Sequence, residues 1–350
     1  MADRVKRQFS KGAIDRAGKL LIPWWLASED PPPNFTSAYN IIVNWRNSHS
    51  MPLLVFRNGL QRRAQRVEAD AIIAQRLKRF SSIMNKLSRE ETMQLSQMQD
   101  LGGCRAIVSN VEAVDKLFEM YRGDQPEGKL NCDDYIRHPK PDGYRGIHIV
   151  GRYSARAETN KFWNGQRIEL QLRSKLQHIF ATAVETVTTF TRQPLKFGAG
   201  EDDWRRFFAL MGSAFAMMEG TPLVSNTPAD EKELIRELGE LTASLHVRQR
   251  LQNWTNAIKE LPRQTIYGAK WLLLVLNVPQ NTISVKGFSE PRKARQELAS
   301  IEKSGRSESL DAVLVWVGSI SNLKGAYPNY YADTREFLAA LDLVLAPKKV

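Results

Sequence analysis

From Arg167 to Arg173 the chain reads Arg-Ile-Glu-Leu-Gln-Leu-Arg, an unbroken alternation of polar and apolar residues. A period of two fits a half-buried strand and not a helix. It sends Ile168, Leu170 and Leu172 to one side and Glu169, Gln171 and Arg173 to the other. A strand serving only a core would more often carry Thr or Ser outward. A carboxylate, an amide and a guanidinium on one sheet face point instead to Mg²⁺-assisted phosphoryl chemistry. Just upstream, the tract DDYIRHPKPDGYRGIH (residues 133–148) sets Tyr144 on a loop punctuated by Pro and Gly. Lys140 and Arg145 flank it, a composition suited to a nucleobase and its phosphates.

The remaining composition bounds the setting. A chain of 350 residues can build two domains of ordinary size, and 42% hydrophobic residues suffice for real cores. No apolar run reaches membrane-spanning length, so no membrane partner is expected. The charged start, Met1 to Lys11, lacks the apolar stretch of a signal peptide, and a cytoplasmic location is expected. Two cysteines, Cys104 and Cys132, are too few for a disulfide framework and lack metal-ligand spacing. The formal charge is +12, with cations clustered at Arg62, Arg63, Arg66, Arg76, Lys78, Arg79, Lys86 and Arg89. A field of that sign attracts nucleotides and longer nucleic acid alike.

Patterning predicts an α/β chain of the α+β kind, with a mixed sheet flanked by helices. A basic helical segment from Arg4 to Leu21 is expected to end at Ile22-Pro23. A helix from about Thr36 to Ser48 and another through Arg66 follow. Strands are expected near Ala71–Lys78, Cys104–Val108, Ile147–Tyr153 and Arg167–Arg173. Helices are expected over Ser82–Ser88, Asn110–Arg122, Lys175–Phe190 and Asp202–Met218. A helical stretch from Asp230 to Leu261, broken near Ser244 or Asn256, leads to a ββαβ unit (strands Trp271–Val278, Ile283–Phe288 and Ala312–Val317, helix Pro291–Ser304). A last helix spans Arg335–Leu345. The implied divisions are 1–60, 61–222, 223–265 and 266–350.

These residues resemble the synthetase domain of the RelA/SpoT family, which transfers pyrophosphate from ATP to a ribose 3′-hydroxyl. The family loop D-Y-I-x-x-P-K-x-N-G-Y-x-S-I-H is matched over Asp134–His148, with Asp142 in place of Asn and Gly146 in place of Ser. The family strand E-I-Q-I-R resembles Glu169–Arg173. Upstream, R-x-K-x-x-x-S-x-x-x-K is matched by Arg76, Lys78, Ser82 and Lys86, and D-x-x-x-x-R by Asp100 and Arg105. The resemblance implies a nucleotidyltransferase-like fold using ATP and Mg²⁺. It makes Asp100 and Glu169 the metal carboxylates, with Glu169 either holding the metal or receiving the hydroxyl proton. Arg76, Lys78, Ser82, Lys86 and Arg105 become ATP ligands, although Ser82 also suits a helix cap. Tyr144 stacks on the acceptor base, with Lys140, His148, Gln171 and Arg173 around it; His148 could equally be a packed strand residue. His178 and Glu185 share a helix face that either borders the site or is simply polar. The upstream His-Asp hydrolase domain of long family members has no counterpart in the N-terminal residues, so synthesis without degradation is expected.

The C-terminal run from Ala312 to Thr334 is similar to the end of fused toxin–antitoxin proteins called CapRel. There a toxic synthetase is followed by a zinc-finger-like fold without zinc, and no cysteine follows Cys132 here. That resemblance implies the tRNA 3′ end as acceptor and autoinhibition by a Y-x-x-Y motif, corresponding to Tyr327 and Tyr330. It further implies release by a phage structural protein, typically the major capsid protein; Trp271, Phe288 and Trp316 are candidates for receiving it. The two tyrosines could instead pack the ββαβ core. Two other readings stand beside this one. The first is an alarmone synthetase acting on free nucleotides, with a regulatory C-terminal domain. The second is a silent RNA-binding protein that kept the fold, which retention of both Asp100 and Glu169 disfavours.

Overall fold

A computed structural model describes residues 5–27, 32–123, 130–191, 202–257, 269, 271–277, 282–303, 310–316 and 334–346. Helices α1 (Lys11–Ala27), α2 (Phe35–Ser48) and α3 (Ser50–Val67) lead to strand β1 (Ile72–Leu77). Then come α4 (Phe80–Arg89), β2 (Gly102–Val108), α5 (Val111–Arg122), β3 (Cys132–Asp134), β4 (Ile147–Arg152) and β5 (Arg167–Ser174). Four helices follow: α6 (Lys175–Thr191), α7 (Asp202–Glu219), α8 (Glu231–Ser244) and α9 (Val247–Ala257). The C-terminal part comprises β6 (Trp271–Asn277), β7 (Thr282–Phe288), α10 (Pro291–Lys303), β8 (Leu310–Trp316) and α11 (Arg335–Leu345).

The described strands form one mixed sheet in the order β3-β4-β5-β2-β1-β8-β6-β7, in which only β2 and β5 run parallel. Alternation along β2, β4 and β5 buries Cys104, Ala106, Ile147, Ile149, Ile168, Leu170 and Leu172. They pack with Leu53, Leu60 and Ala64 of α3 and Val114 and Leu117 of α5. The other side chains of those strands therefore emerge on the opposite face. Register then gathers the polar ones: Gln171 pairs with His148 on β4 and with Arg105 on β2, while Glu169 pairs with Gly103. Two further cores flank this sheet. Helices α1, α2 and α4 enclose Leu21, Tyr39, Ile42, Phe80 and Met84. Helices α6 to α9 and α11 enclose Phe180, Trp204, Phe207, Phe215, Leu238 and Phe337.

The mixed sheet with flanking helices agrees with the sequence expectation, with local departures. Helix α1 does not stop at Ile22-Pro23 but runs through Pro23 to Ala27. Pro23 removes one backbone donor, yet the final turn is held by tertiary contacts. Trp24 meets Phe35 at 4.6 Å between ring centroids, and the Trp25 indole nitrogen donates to Asn85 Oδ1 at 2.6 Å. The short strand β3, paired with β4, has no strand-like sequence pattern, because two of its three residues are aspartates. The ββαβ elements form as expected, and β8 extends the sheet by pairing Val315 with Arg76 of β1. Tyr327 and Tyr330 lie outside the described residues.

One buried group under the sheet predicts a pH response. His49, between α2 and α3, is fully buried and donates through Nδ1–H to the Trp45 carbonyl at 2.9 Å. Burial pushes its pKa down to about 4, against a small opposing contribution from that carbonyl. A histidine held neutral in the fold stabilises above its unfolded pKa, near 6.5, and that stability is lost as pH falls through the folded value. The expected loss between pH 6.5 and 4 is about 3 kcal/mol. Denaturant titrations across that window should show a slope that His49→Gln flattens; an unchanged slope would refute this assignment.

Candidate active site

The polar face of the sheet floors an open cleft of about 420 Å³. Helix α4 and helix α6 form its walls. Its lining includes Arg76, Lys78, Ser82, Lys86, Asp100, Arg105, Lys140, Tyr144, His148, Glu169, Gln171, Arg173 and Glu185. All twelve residues expected at the catalytic, donor and acceptor positions therefore meet in one place; the two C-terminal tyrosines fall outside the description.

On the donor side, Asp100 precedes β2 and receives Lys78 Nζ at 2.5 Å and Lys86 Nζ at 3.4 Å. Burial works against its charge, but the two ammonium groups prevail and hold its pKa at about 2. Arg76 stands on β1 directly opposite Gly103 of β2 and reaches Glu185 at 3.9 Å; Arg79 reaches the same carboxylate at 3.3 Å. Glu185 is thus a site residue, whereas His178 is buried in α6 and does not line the cleft. The N-cap position of α4 is Arg79, so Ser82 is no cap and points its chemistry to the cleft.

On the acceptor side five side chains close a hydrogen-bonded ring. Glu169 Oε1 meets His148 Nδ1 at 3.1 Å, and His148 Nε2 meets the Tyr144 hydroxyl. Arg173 Nη2 donates to that hydroxyl at 2.9 Å and to Gln171 Oε1 at 2.8 Å. Gln171 Nε2 returns to Glu169 Oε2 at 2.7 Å. Burial disfavours a charged His148, yet the Tyr144 oxygen and Glu169 reverse this and lift its pKa to about 9. Glu169 is also buried, but its bond from His148 keeps it ionised, with Asp100 opposing. Asp100 and Glu169 line the same cleft.

The loop carrying Tyr144 is tied down by backbone geometry. The Asp142 carboxylate accepts from the Tyr144 backbone N–H at 3.0 Å, a role an Asn fills equally well. Gly143 has φ +87°, and a Cβ there would stand 2.5 Å from the Phe208 carbonyl oxygen. Only glycine lets the loop lie against α7. Arg145 corrects the sequence expectation that it flanks a phosphate. It turns into the core, where it is 2% exposed, bonds Thr221 Oγ1 at 2.9 Å and pairs with Glu219 at 3.5 Å. Its neighbour Tyr144 takes the cleft side, and adjacent residues of an extended segment face opposite ways. Behind Tyr144, Tyr135 packs its ring 5.9 Å from that of Tyr144, with Lys140 Nζ 4.3 Å from its centroid.

Two ionised carboxylates at the meeting point of a basic donor half and an aromatic acceptor half define a polyphosphate-handling site on a mixed-sheet domain. Residues 75–193 match the family model described as a region found in RelA / SpoT proteins. Over this region the chain is similar to RelA/SpoT proteins. The GTP pyrophosphokinase YwaC of Bacillus subtilis (strain 168) is 31% identical over 80 residues, covering 21% of this chain and 38% of that protein. The GTP pyrophosphokinase YjbM of the same organism is 27% identical over 109 residues, covering 31% of this chain and 51% of that protein. The chain thus spans between about a third and half of the length of these curated relatives. Among solved structures, the small alarmone synthetase 1 of Bacillus subtilis bound to its product pppGpp aligns with a TM-score of 0.40 at 20% identity, over 50% of this chain and 89% of that one.

The donor set fits a hard cation. Among the described residues no group of three or more His, Cys, Asp and Glu could hold a metal. Magnesium, however, commonly takes only one or two carboxylates and completes its shell with substrate phosphates and water. Asp100 and Glu169, both ionised and both oxygen donors, suit that pattern.

Proposed function

We propose that the chain is an ATP-dependent pyrophosphokinase that transfers pyrophosphate to the 3′-hydroxyl at the end of a tRNA, in a fused toxin–antitoxin released by a phage structural protein. The observation that carries the activity is the convergence of Asp100 and Glu169 in one cleft between the lysine–arginine half and the Tyr144 half. Lys78 and Lys86 hold the triphosphate and release Asp100 as it binds. Arg76 and Arg105, from adjacent strands, offer planar guanidinium groups to the adenine or the phosphates. Tyr144 gives the acceptor base a stacking surface, a contact worth about 1–3 kcal/mol. Glu169, aimed by His148 and Gln171, accepts the 3′-hydroxyl proton as the oxygen attacks the β-phosphorus and AMP departs. Bound Mg²⁺ neutralises charge on the phosphate oxygens.

The tRNA acceptor and the toxin–antitoxin role rest on the C-terminal resemblance and on the +12 charge, which suits a polyanionic partner. A second reading draws on the named activity of YwaC and YjbM: an alarmone synthetase taking GDP, GTP or AMP, with a regulatory C-terminal domain. Offering deacylated tRNA, GDP, GTP and AMP side by side with ATP labelled at the γ-phosphate separates the two. Label on tRNA is the expected result, and preferential label on a free nucleotide would transfer the assignment to the second reading.

A further inference from the structure

The sheet face that carries Glu169 does not end at Glu169. Two residues back along β5 stands Arg167, and its register partner on β4 is Arg152. Val150 lies opposite Glu169, so the row Arg152–Arg167 is the next one out on the same face. A two-residue step on a strand is roughly 7 Å, comparable to the step between successive phosphates of an extended nucleic-acid strand. Like charges directly opposite each other destabilise a sheet. The Arg152 charge in fact lowers the pKa of Arg167, after burial as the larger cause. One guanidinium is steadied by the Gln97 carbonyl, which accepts from Arg167 Nη1 at 2.7 Å.

The connection between the two strands continues the same character. From 151 to 167 the sequence holds four cations, Arg152, Arg156, Lys161 and Arg167, against the single carboxylate of Glu158, which Lys161 engages. Phe162 is 60% exposed on this connection, with Lys6 Nζ 3.9 Å from its ring centroid. A cross-strand arginine pair beside an exposed, cation-flanked ring is the composition of a single-stranded nucleic-acid track, where backbone charge and base stacking are met together.

We propose that Arg152 and Arg167 bind the phosphodiester next to the acceptor's terminal nucleotide, with the 153–166 connection contacting the nucleotides before it. This rests on the tRNA-acceptor reading and deepens it: a free mononucleotide has no phosphodiester to place there, so the pair selects an RNA end over a small nucleotide. Phosphate contacts of this kind fix position and carry no base information.

The test uses the intact chain and a fluorescently labelled RNA hairpin ending in a single-stranded 3′-CCA, followed by anisotropy at several salt concentrations. Arg152→Gln/Arg167→Gln should lose on the order of tenfold in affinity and lower the slope of log K against log salt by roughly 0.7, one phosphate's worth for a single strand. Arg152→Lys/Arg167→Lys should recover most of the slope, which separates lost charge from a disturbed sheet. Binding of a fluorescent ATP analogue reports on the fold and should be unchanged in both variants. Wild-type affinity and slope in the glutamine variant, with the RNA still bound, would overturn the arginine pair and leave the acceptor reading intact. A wild-type chain that binds no RNA and labels only free nucleotides would overturn both.

Discussion

Replacing Glu169 by Gln is expected to lower pyrophosphate transfer by roughly 10²–10⁴-fold, the usual contribution of a positioned base, while leaving ATP binding close to normal. The geometry explains the split. Asp100, Lys78 and Lys86 hold the donor half without Glu169. The glutamine amide can still meet His148 and Gln171, so the ring keeps its shape while losing the charge that takes the proton and would help Asp100 hold the cation. Measuring transfer both in the intact chain and in a Glu302→Ala background keeps domain docking from masking the effect. Transfer within a few fold of the parent would show that the acceptor hydroxyl loses its proton elsewhere. Asp100→Asn should instead weaken donor binding, since it leaves two lysines without their carboxylate.

The site was legible in sequence to the extent that its spacing is local. Period-two alternation fixed the facing of Glu169, Gln171 and Arg173, because a strand with one buried face tolerates no slip. The Asn110 cap of α5 was equally readable, and its side chain accepts from Ala113 N at 2.9 Å. Arg145 misled because neighbouring loop residues look alike in a string. Its direction is set by Glu219 and Thr221, more than seventy residues away. Glu185 and His178 shared one helix face in the sequence, and only the fold brings Glu185 to the cleft and turns His178 away. Pro23 suggested a helix end through propensity, and packing of Trp24 and Trp25 overrode it. The joining of β8 to β1 was beyond sequence because strand order is a long-range choice, here between residues 76 and 315.

Glu302→Ala is expected to loosen the C-terminal ββαβ unit from the rest of the chain, at a cost of about 3–5 kcal/mol for breaking a buried ion pair. Glu302 projects from α10 into the N-terminal half. Its oxygens accept from Arg46 Nη1 at 2.8 Å and Nη2 at 3.2 Å, from the Tyr39 hydroxyl at 2.9 Å and from the Phe80 backbone N–H at 3.3 Å. The side chains of Arg46 and Glu302 are 3% and 9% exposed, so the variant would leave a buried guanidinium without its counter-charge. Phe80 opens α4, where a helix terminus favours negative charge, and α4 carries Ser82 and Lys86. The other recorded strand contact of the unit falls on Arg76. Every one of these attachments to α4 and β1 thus lands on a donor-site element, so docking and donor-site geometry are mechanically linked. Hydrogen exchange should quicken over 271–316 in the variant, while the β2–β5 sheet stays protected. On the autoinhibited reading, transfer to tRNA rises at the same time. Replacing both partners, Arg46→Met with Glu302→Leu, should restore much of the stability because neither charge is left stranded. Unchanged exchange over 271–316 in Glu302→Ala would mean that the unit is held by apolar packing, such as Ala299 against the core of α1, α2 and α4, and not by the carboxylate.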